Sequence, residues 1–99
     1  MIRGFWKNPW NHRDRLCIIA EMLLIAKGGT LKTPIMYKAN LNSAQLDEYL
    51  SILLETGLLE NFNKGEKTVY KTTAKGLEYI KGHNGITALL TEKNHLGKR

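Results

Sequence analysis

A chain of 99 residues supports one domain with one modest core. Apolar residues make up 42% and charged residues 24%, ordinary values for a globular protein, and no apolar run approaches the roughly 18 residues that cross a bilayer. A net charge of +6 on a small domain points to a polyanion partner, most often nucleic acid.

The single cysteine, Cys17, can form neither an internal disulfide nor a zinc finger, and inside an apolar run it reads as a small core hydrophobe. His12, His83 and His95 lack a metal-ligand spacing, so neither a metal nor another cofactor is expected. The apolar run 16–26 contains Glu21 and has no cleavage-like pattern after it, so the sequence-based expectation is a cytoplasmic protein with no membrane partner.

The opening stretch, residues 1–12, is irregular: Pro9 and two Asn break any helix. Its Phe5, Trp6 and Trp10 either fold back over an apolar surface or accompany a basic arm of Arg3, Lys7, Arg13 and Arg15. A helix-turn-helix unit is then expected over 13–73. Its first helix spans about Arg13 to Lys27 and stops at Gly28-Gly29. Leu16, Ile19, Ala20 and Leu23 form one stripe, and Ile18, Met22 and Ile25 another. A helix so apolar all round needs cover on both sides, which suggests a partner surface.

Thr33 is suited to cap the second helix, with Pro34 at its first position. Ala39-Asn40-Leu41-Asn42 turns the chain. Asn42 and Gln45 have the spacing of a capping box, opening a third helix that ends at Thr56-Gly57. Leu46, Tyr49 or Leu50, Leu53 and Leu54 form its buried stripe. Residues 41–57 hold Asp47, Glu48 and Glu55 and no base, an acidic island in a basic chain.

Two short strands then flank Asn63-Lys64-Gly65-Glu66-Lys67, a tight hairpin turn with a charged tip. Thr73 can cap a last helix, expected over 74–92. Leu77 and Ile80 would dock on the domain, and Tyr79, His83, Ile86 and Leu90 would form a heptad-spaced dimer seam. Gly82 and Gly85 interrupt that seam, so a helix that frays near Gly82 and one that continues both fit. The tail, 93–99, is polar and expected to be loose.

This order, mainly α with a small β-hairpin, is that of a winged helix-turn-helix domain followed by a C-terminal dimerisation helix. Over residues 14–82 the chain resembles small archaeal winged-helix DNA-binding proteins, which include chromatin-associated dimers and predicted transcriptional regulators. The resemblance is carried by Lys32, Thr33, Ile35, Met36, Tyr37, Ala39, Asn40 and Leu41, then Gly57, Leu58 and Leu59, then Thr73, Lys75 and Gly76. It implies an archaeal or archaeal-virus source and a homodimer joined through the last helix. Relatives can carry a long antiparallel coiled coil there, and often basic residues on the exposed face of helix three. The short glycine-bearing last helix and the acids Asp47 and Glu48 depart from both features.

The expected function is double-stranded DNA binding. Asn42, Ser43 and Gln45 at the start of helix three would meet base edges or phosphates. Lys32, Thr33 and Lys38 would contact flanking backbone, and Lys64, Lys67 and Lys71 would reach out from the wing. A protein-interaction module using the acidic face of helix three is the alternative. No nucleophile-base pair, paired-carboxylate site or phosphate loop suggests an enzyme, and nothing in the sequence specifies a small-molecule effector. Asp47 and Glu48 would either stabilise the positive end of their helix or restrain binding to phosphate.

Overall fold

The computed structural model describes residues 14–96, with side chains through residue 90. The elements are α1 (Arg15–Ile25), α2 (Lys32–Lys38), α3 (Ser43–Glu55), β1 (Leu59–Lys64), β2 (Lys67–Thr72) and α4 (Ala74–Leu96). Met22, Leu23, Ile35, Leu46 and Leu53 are fully buried where the three short helices meet, and Leu59 and Ile80 close the core from the hairpin and α4. Among the described residues no helix is long and apolar enough to cross a membrane.

Helix α1 begins later than expected because Asp14 caps it, accepting from the Cys17 amide at 2.9 Å. Most of its apolar surface is covered within the chain; Leu16 and Leu24 stay exposed. At its far end the chain passes through Gly29 at φ +96° and Thr30 pairs with Tyr70 of β2, with bonds of 2.9 and 2.7 Å.

That pairing moves the start of α2. The backbone is extended at Leu31, which occupies the cap position without a side-chain bond, and the helix begins at Lys32. Thr33 is therefore not the cap but a first-turn residue. Pro34 still lies among the first four residues, where a missing N–H costs no helical bond.

Helices α2 and α3 end alike. Asn40 at φ +58° and Gly57 at φ +80° take the left-handed conformation. The amides of Leu41 and Leu58 reach back to the carbonyls of Met36 and Leu53 at 3.0 and 2.9 Å. Both are Schellman stops, so the turn and the entry to the hairpin are set by the same local device.

The hairpin is antiparallel, with Leu59 opposite Thr72 and Lys64 opposite Lys67. Alternation places Leu59, Asn61, Tyr70 and Thr72 on one face and Glu60, Phe62, Val69 and Lys71 on the other. Thr72 fixes the root: its hydroxyl donates to the buried Leu23 carbonyl at 2.6 Å, and its amide to Ala26 at 3.0 Å.

Thr73 caps α4 as expected, accepting from the Gly76 amide at 3.1 Å while donating to the Gly57 carbonyl at 2.6 Å. The stripe that docks α4 is Gly76, Tyr79, Ile80 and His83, so Leu77, expected to dock, lies to one side and is exposed. Tyr79 donates its hydroxyl to the Leu16 carbonyl at 2.8 Å and stacks on His83. Burial pushes the Tyr79 phenol above its ordinary pKa, and burial likewise raises the Cys17 thiol, an unreactive setting. The helix does not fray at Gly82. It continues to Leu96, past the expected start of the tail, because the first breaker after Gly85 is Gly97. Residues 1–12 and their two alternative roles lie outside the described residues.

Gly76 is the tightest point of the fold. A Cβ there would run into the Leu58 carbonyl oxygen and the Thr72 methyl, whereas one at Gly85 meets nothing. Gly76→Ala should therefore lower stability by about 1–3 kcal/mol, read as a lower urea midpoint at unchanged slope. Gly85→Ala should raise it by up to about 1 kcal/mol through helix propensity; equal effects at the two sites would contradict the packing.

Candidate nucleic-acid interface

The start of α3 is held by two reciprocal bonds. Asn42 Oδ1 accepts from the Gln45 amide at 2.8 Å, and Gln45 Oε1 accepts from the Asn42 amide at 3.0 Å. The capping box is thus present as expected. It also commits the oxygens of both side chains, leaving their NH₂ ends to donate to another molecule. Ser43 between them is exposed at the first helical position.

From there the exposed face of α3 runs through Ala44, Asp47, Glu48 and Ser51, while Leu46, Tyr49, Leu50 and Leu53 face the core. Neither acid lies in the first turn, so the helix terminus is not their partner. Each is matched by a base from a different element. Lys32 Nζ of α2 lies 2.9 Å from Asp47 Oδ1. Arg15 of α1 donates to Glu48 Oε2 at 2.9 Å and lies over the Tyr49 ring, 5.4 Å from its centroid. Consecutive helical residues point about 100 degrees apart, which is why two adjacent acids reach two different helices.

The hydrogen bond and charge of Asp47 raise the Lys32 pKa, and Glu48 does the same for Arg15. Both cations therefore hold their protons further into the alkaline range. All four side chains are exposed, so these pairs are screened by salt and orient the groups more than they stabilise the fold.

Thr33 and Lys38 are exposed on α2. Lys64 and Lys67 stand opposite one another at the hairpin tip, beside the turn at Gly65. Lys71 lies two pairs down the same face. Lys64 and Lys71 line a shallow concavity of about 420 Å³ against the Gly28-Gly29 backbone, with Phe62 between them. Among the described residues, Lys38, Lys64 and Lys67 have no ion pair.

Two contributors escape the sequence reading, and a third, Arg15, is expected there only as a cation of the basic N-terminal arm. Tyr37, in the α2 motif, is 73% exposed. Ile35 and Ala39 take the buried face of that helix, and a residue midway between them must point out; the spacing carried that signal. Phe62 is exposed on the hairpin. Arg15 belongs to α1 and bridges to α3, across 33 residues, a contact no local pattern announces. The seam of Tyr79, His83, Ile86 and Leu90 divides in two: Tyr79 and His83 pack toward α1, while Ile86 and Leu90, with Leu89, are exposed.

A family model described as winged helix-turn-helix matches residues 12–91. The chain belongs to this winged helix-turn-helix family. In this family's terms α1 to α3 are the trihelical unit and the hairpin is the wing. Among solved structures, Sso10a-2, a DNA-binding protein from Sulfolobus solfataricus, superposes with a TM-score of 0.72 at 22% identity, over 87% of this chain and 90% of that one. ZitR of Lactococcus lactis in complex with DNA gives 0.61 at 20% identity, over 89% of this chain and 64% of that one. BpsR of Bordetella bronchiseptica, whose DNA binding is regulated by 6-hydroxynicotinic acid, gives 0.65 at 12% identity, over 90% and 66%. The chain thus spans about two thirds of the latter two proteins. At such identities the likeness is one of fold. No curated protein matches the sequence.

Proposed function

We propose that this protein binds double-stranded DNA as a homodimer, in the manner of a regulator or chromatin component. The observation that carries the reading is the placement of charge: Lys32 and Lys38 on α2 and Lys64 and Lys67 on the wing are exposed on the elements just before and after α3. The fold is shared with Sso10a-2 and ZitR, the one a DNA-binding protein and the other solved in complex with DNA. In this reading Ser43 and the amide ends of Asn42 and Gln45 meet the major groove. Thr33 and Tyr37 hydrogen-bond to the adjacent backbone. A six-residue strand reaches about 20 Å, enough to carry Lys64 and Lys67 to neighbouring phosphates, with Lys71 nearer the wing's root.

The acids on α3 do not oppose this role, because Lys32 and Arg15 neutralise them. The same pairing removes the net negative face that a protein-docking role for α3 would use. Lys32, to reach a phosphate, must leave Asp47, so Asp47 restrains it. The distal half of α4, with Ile86, Leu89 and Leu90 exposed at helical spacing, supplies the dimer contact. A dimer of this kind can set two α3 helices on successive major grooves, about 34 Å apart.

A gel-shift series with unrelated duplexes at two salt concentrations tests the main claim. Each phosphate neutralised contributes about −0.9 to the slope of log K against log salt. Replacing Lys64 and Lys67 together by Ala should flatten the slope by about 2 per protomer. Binding that ignores salt would overturn the assignment.

Asp47→Asn with Glu48→Gln releases Lys32 and Arg15. Affinity for random duplex should rise several-fold while circular dichroism stays that of the parent. If neither protein binds DNA and the substitutions instead abolish capture of a protein partner, α3 is a docking surface.

Sedimentation addresses assembly. The parent should be a dimer at tens of micromolar, and Ile86→Asp with Leu90→Asp should yield a folded monomer. A parent already monomeric at that concentration would remove the distal α4 contact from the proposal.

A further inference from the structure

The two faces of the hairpin differ in what they meet. Leu59 and Thr72 are buried on the face turned to the helices. The other face carries Glu60, Phe62 and Lys64 of β1 and Lys67, Val69 and Lys71 of β2, and it contributes nothing to the core. Its middle pair is apolar, Phe62 opposite Val69. Cations stand on either side of that pair, Lys64 and Lys67 toward the tip and Lys71 toward the root. Glu60, opposite Lys71, is the acid of this face and makes no ion pair among the described residues.

This face is also concave. Because Thr30 pairs with Tyr70, residues 28–31 run beside β2 as a third edge, and β2 lies between that edge and β1. The edge opens with two glycines, and a Cβ on Gly29 would lie 3.4 Å from Val69 Cγ1. The concavity of about 420 Å³ is thus lined by bare backbone at Gly28 and Gly29, by Val69 and Phe62, and by Lys64 and Lys71. That is room for one nucleobase with its sugar.

A duplex can use only part of this surface. Its phosphates can meet the lysines, but its bases are stacked on one another and hide their faces. An unpaired base exposes both faces, and aromatic side chains bind single strands by stacking on them while cations hold the backbone. A strand carries a phosphate on each side of a base. The lysines stand on each side of Phe62, with Lys67 and Lys71 about 13 Å apart along β2. We propose that this outer face of the wing binds single-stranded nucleic acid. One unpaired base stacks on Phe62 in the concavity, and Lys64 and Lys71 hold the phosphates on either side of it. Stacking is indifferent to the identity of the base, so the site tolerates any sequence. Glu60 shares the root with Lys71 and limits how strongly that end attracts phosphate. The site does not depend on the duplex contacts proposed for α3.

Fluorescence anisotropy on the full-length protein tests this, with a labelled oligothymidylate and a duplex of the same length. The parent should bind the single strand with a salt slope of about −0.7 per phosphate. Phe62→Leu keeps an apolar residue opposite Val69 and removes the flat ring. It should lower the ratio of single-strand to duplex affinity about tenfold, with the circular dichroism of the parent retained. Phe62→Trp should preserve the ratio or raise it. A ratio unmoved by Phe62→Leu overturns the proposal, since binding would then rest on charge alone. So does a parent that fails to bind the oligothymidylate. If thymidine monophosphate displaces the probe as well as unlabelled oligothymidylate at equal nucleotide concentration, the site takes free nucleotides and the proposal fails. Single-strand binding that depends on Phe62, with no duplex binding at all, would remove the duplex reading and leave this one standing.

Discussion

Five consecutive residues, Thr72 to Gly76, hold the molecule together. Thr72 fastens the end of β2 to the C-terminal part of α1 through the Leu23 and Ala26 carbonyls. Thr73 joins the stop of α3 to the start of α4, donating to Gly57 and accepting from Gly76. Lys75 Nζ donates to the Thr56 carbonyl at 2.7 Å, the last cap position of α3. Gly76 lets the first turn of α4 lie directly on the Leu58 backbone. Carbonyls at two helix ends, otherwise without helical partners, are satisfied here by side chains of one short segment. The angle at which the wing leaves the helices and the line along which α4 departs are set by the same few bonds.

With the frame held by these bonds, the charged surface along α3 can be arranged with little energy of its own. Lys32–Asp47 and Arg15–Glu48 are exposed pairs, and exposed pairs add little stability. Their effect is positional. They hold two cations against α3 and cancel the acids that would otherwise repel phosphate. The wing-tip lysines and Lys38, which have no ion pair among the described residues, give up no partner on meeting an anion. In the proposed DNA-binding role, affinity would depend more on the wing and α2 than on α3, which would contribute discrimination through the few groups at its first turn.

Much of this was readable along the chain because local chemistry determined it. Asn42 with Gln45, Thr73, and the glycines at 57 and 65 act within a few residues, and each does what its spacing implied. The misplacements have a common cause. The start of α2 was shifted by the Thr30–Tyr70 pairing, a contact across 40 residues. Leu77 was assigned to the docking face because apolar character alone does not reveal phase; the phase is set by Gly76, whose lack of a side chain chooses the face that approaches Leu58. The partners of Asp47 and Glu48 were hidden for the same reason, since Arg15 is far away in sequence and Lys32 lies across a turn. The helix end was the nearer and less apt explanation for those acids.

Helix α4 gathers these consequences. Twenty-three residues make a helix of about 35 Å at 1.5 Å per residue, longer than the trihelical unit can cover, and the molecule is accordingly elongated, 55 Å by 28 Å by 20 Å. Its first two turns are committed to the core by Gly76, Tyr79 and Ile80. Beyond His83 the described chain leaves it largely uncovered, and Ile86, Leu89 and Leu90 stand exposed. An exposed apolar stripe on a helix invites association, and a stripe projecting from a fixed junction would bring any partner copy to a defined position. The two glycines that weaken α4 as an isolated helix fall where its role changes: Gly82 opens a groove beside α1, and Gly85 follows at the beginning of the free segment. Their helix-propensity cost is tolerable because the helix is anchored at one end, where docking replaces the stability that propensity does not provide.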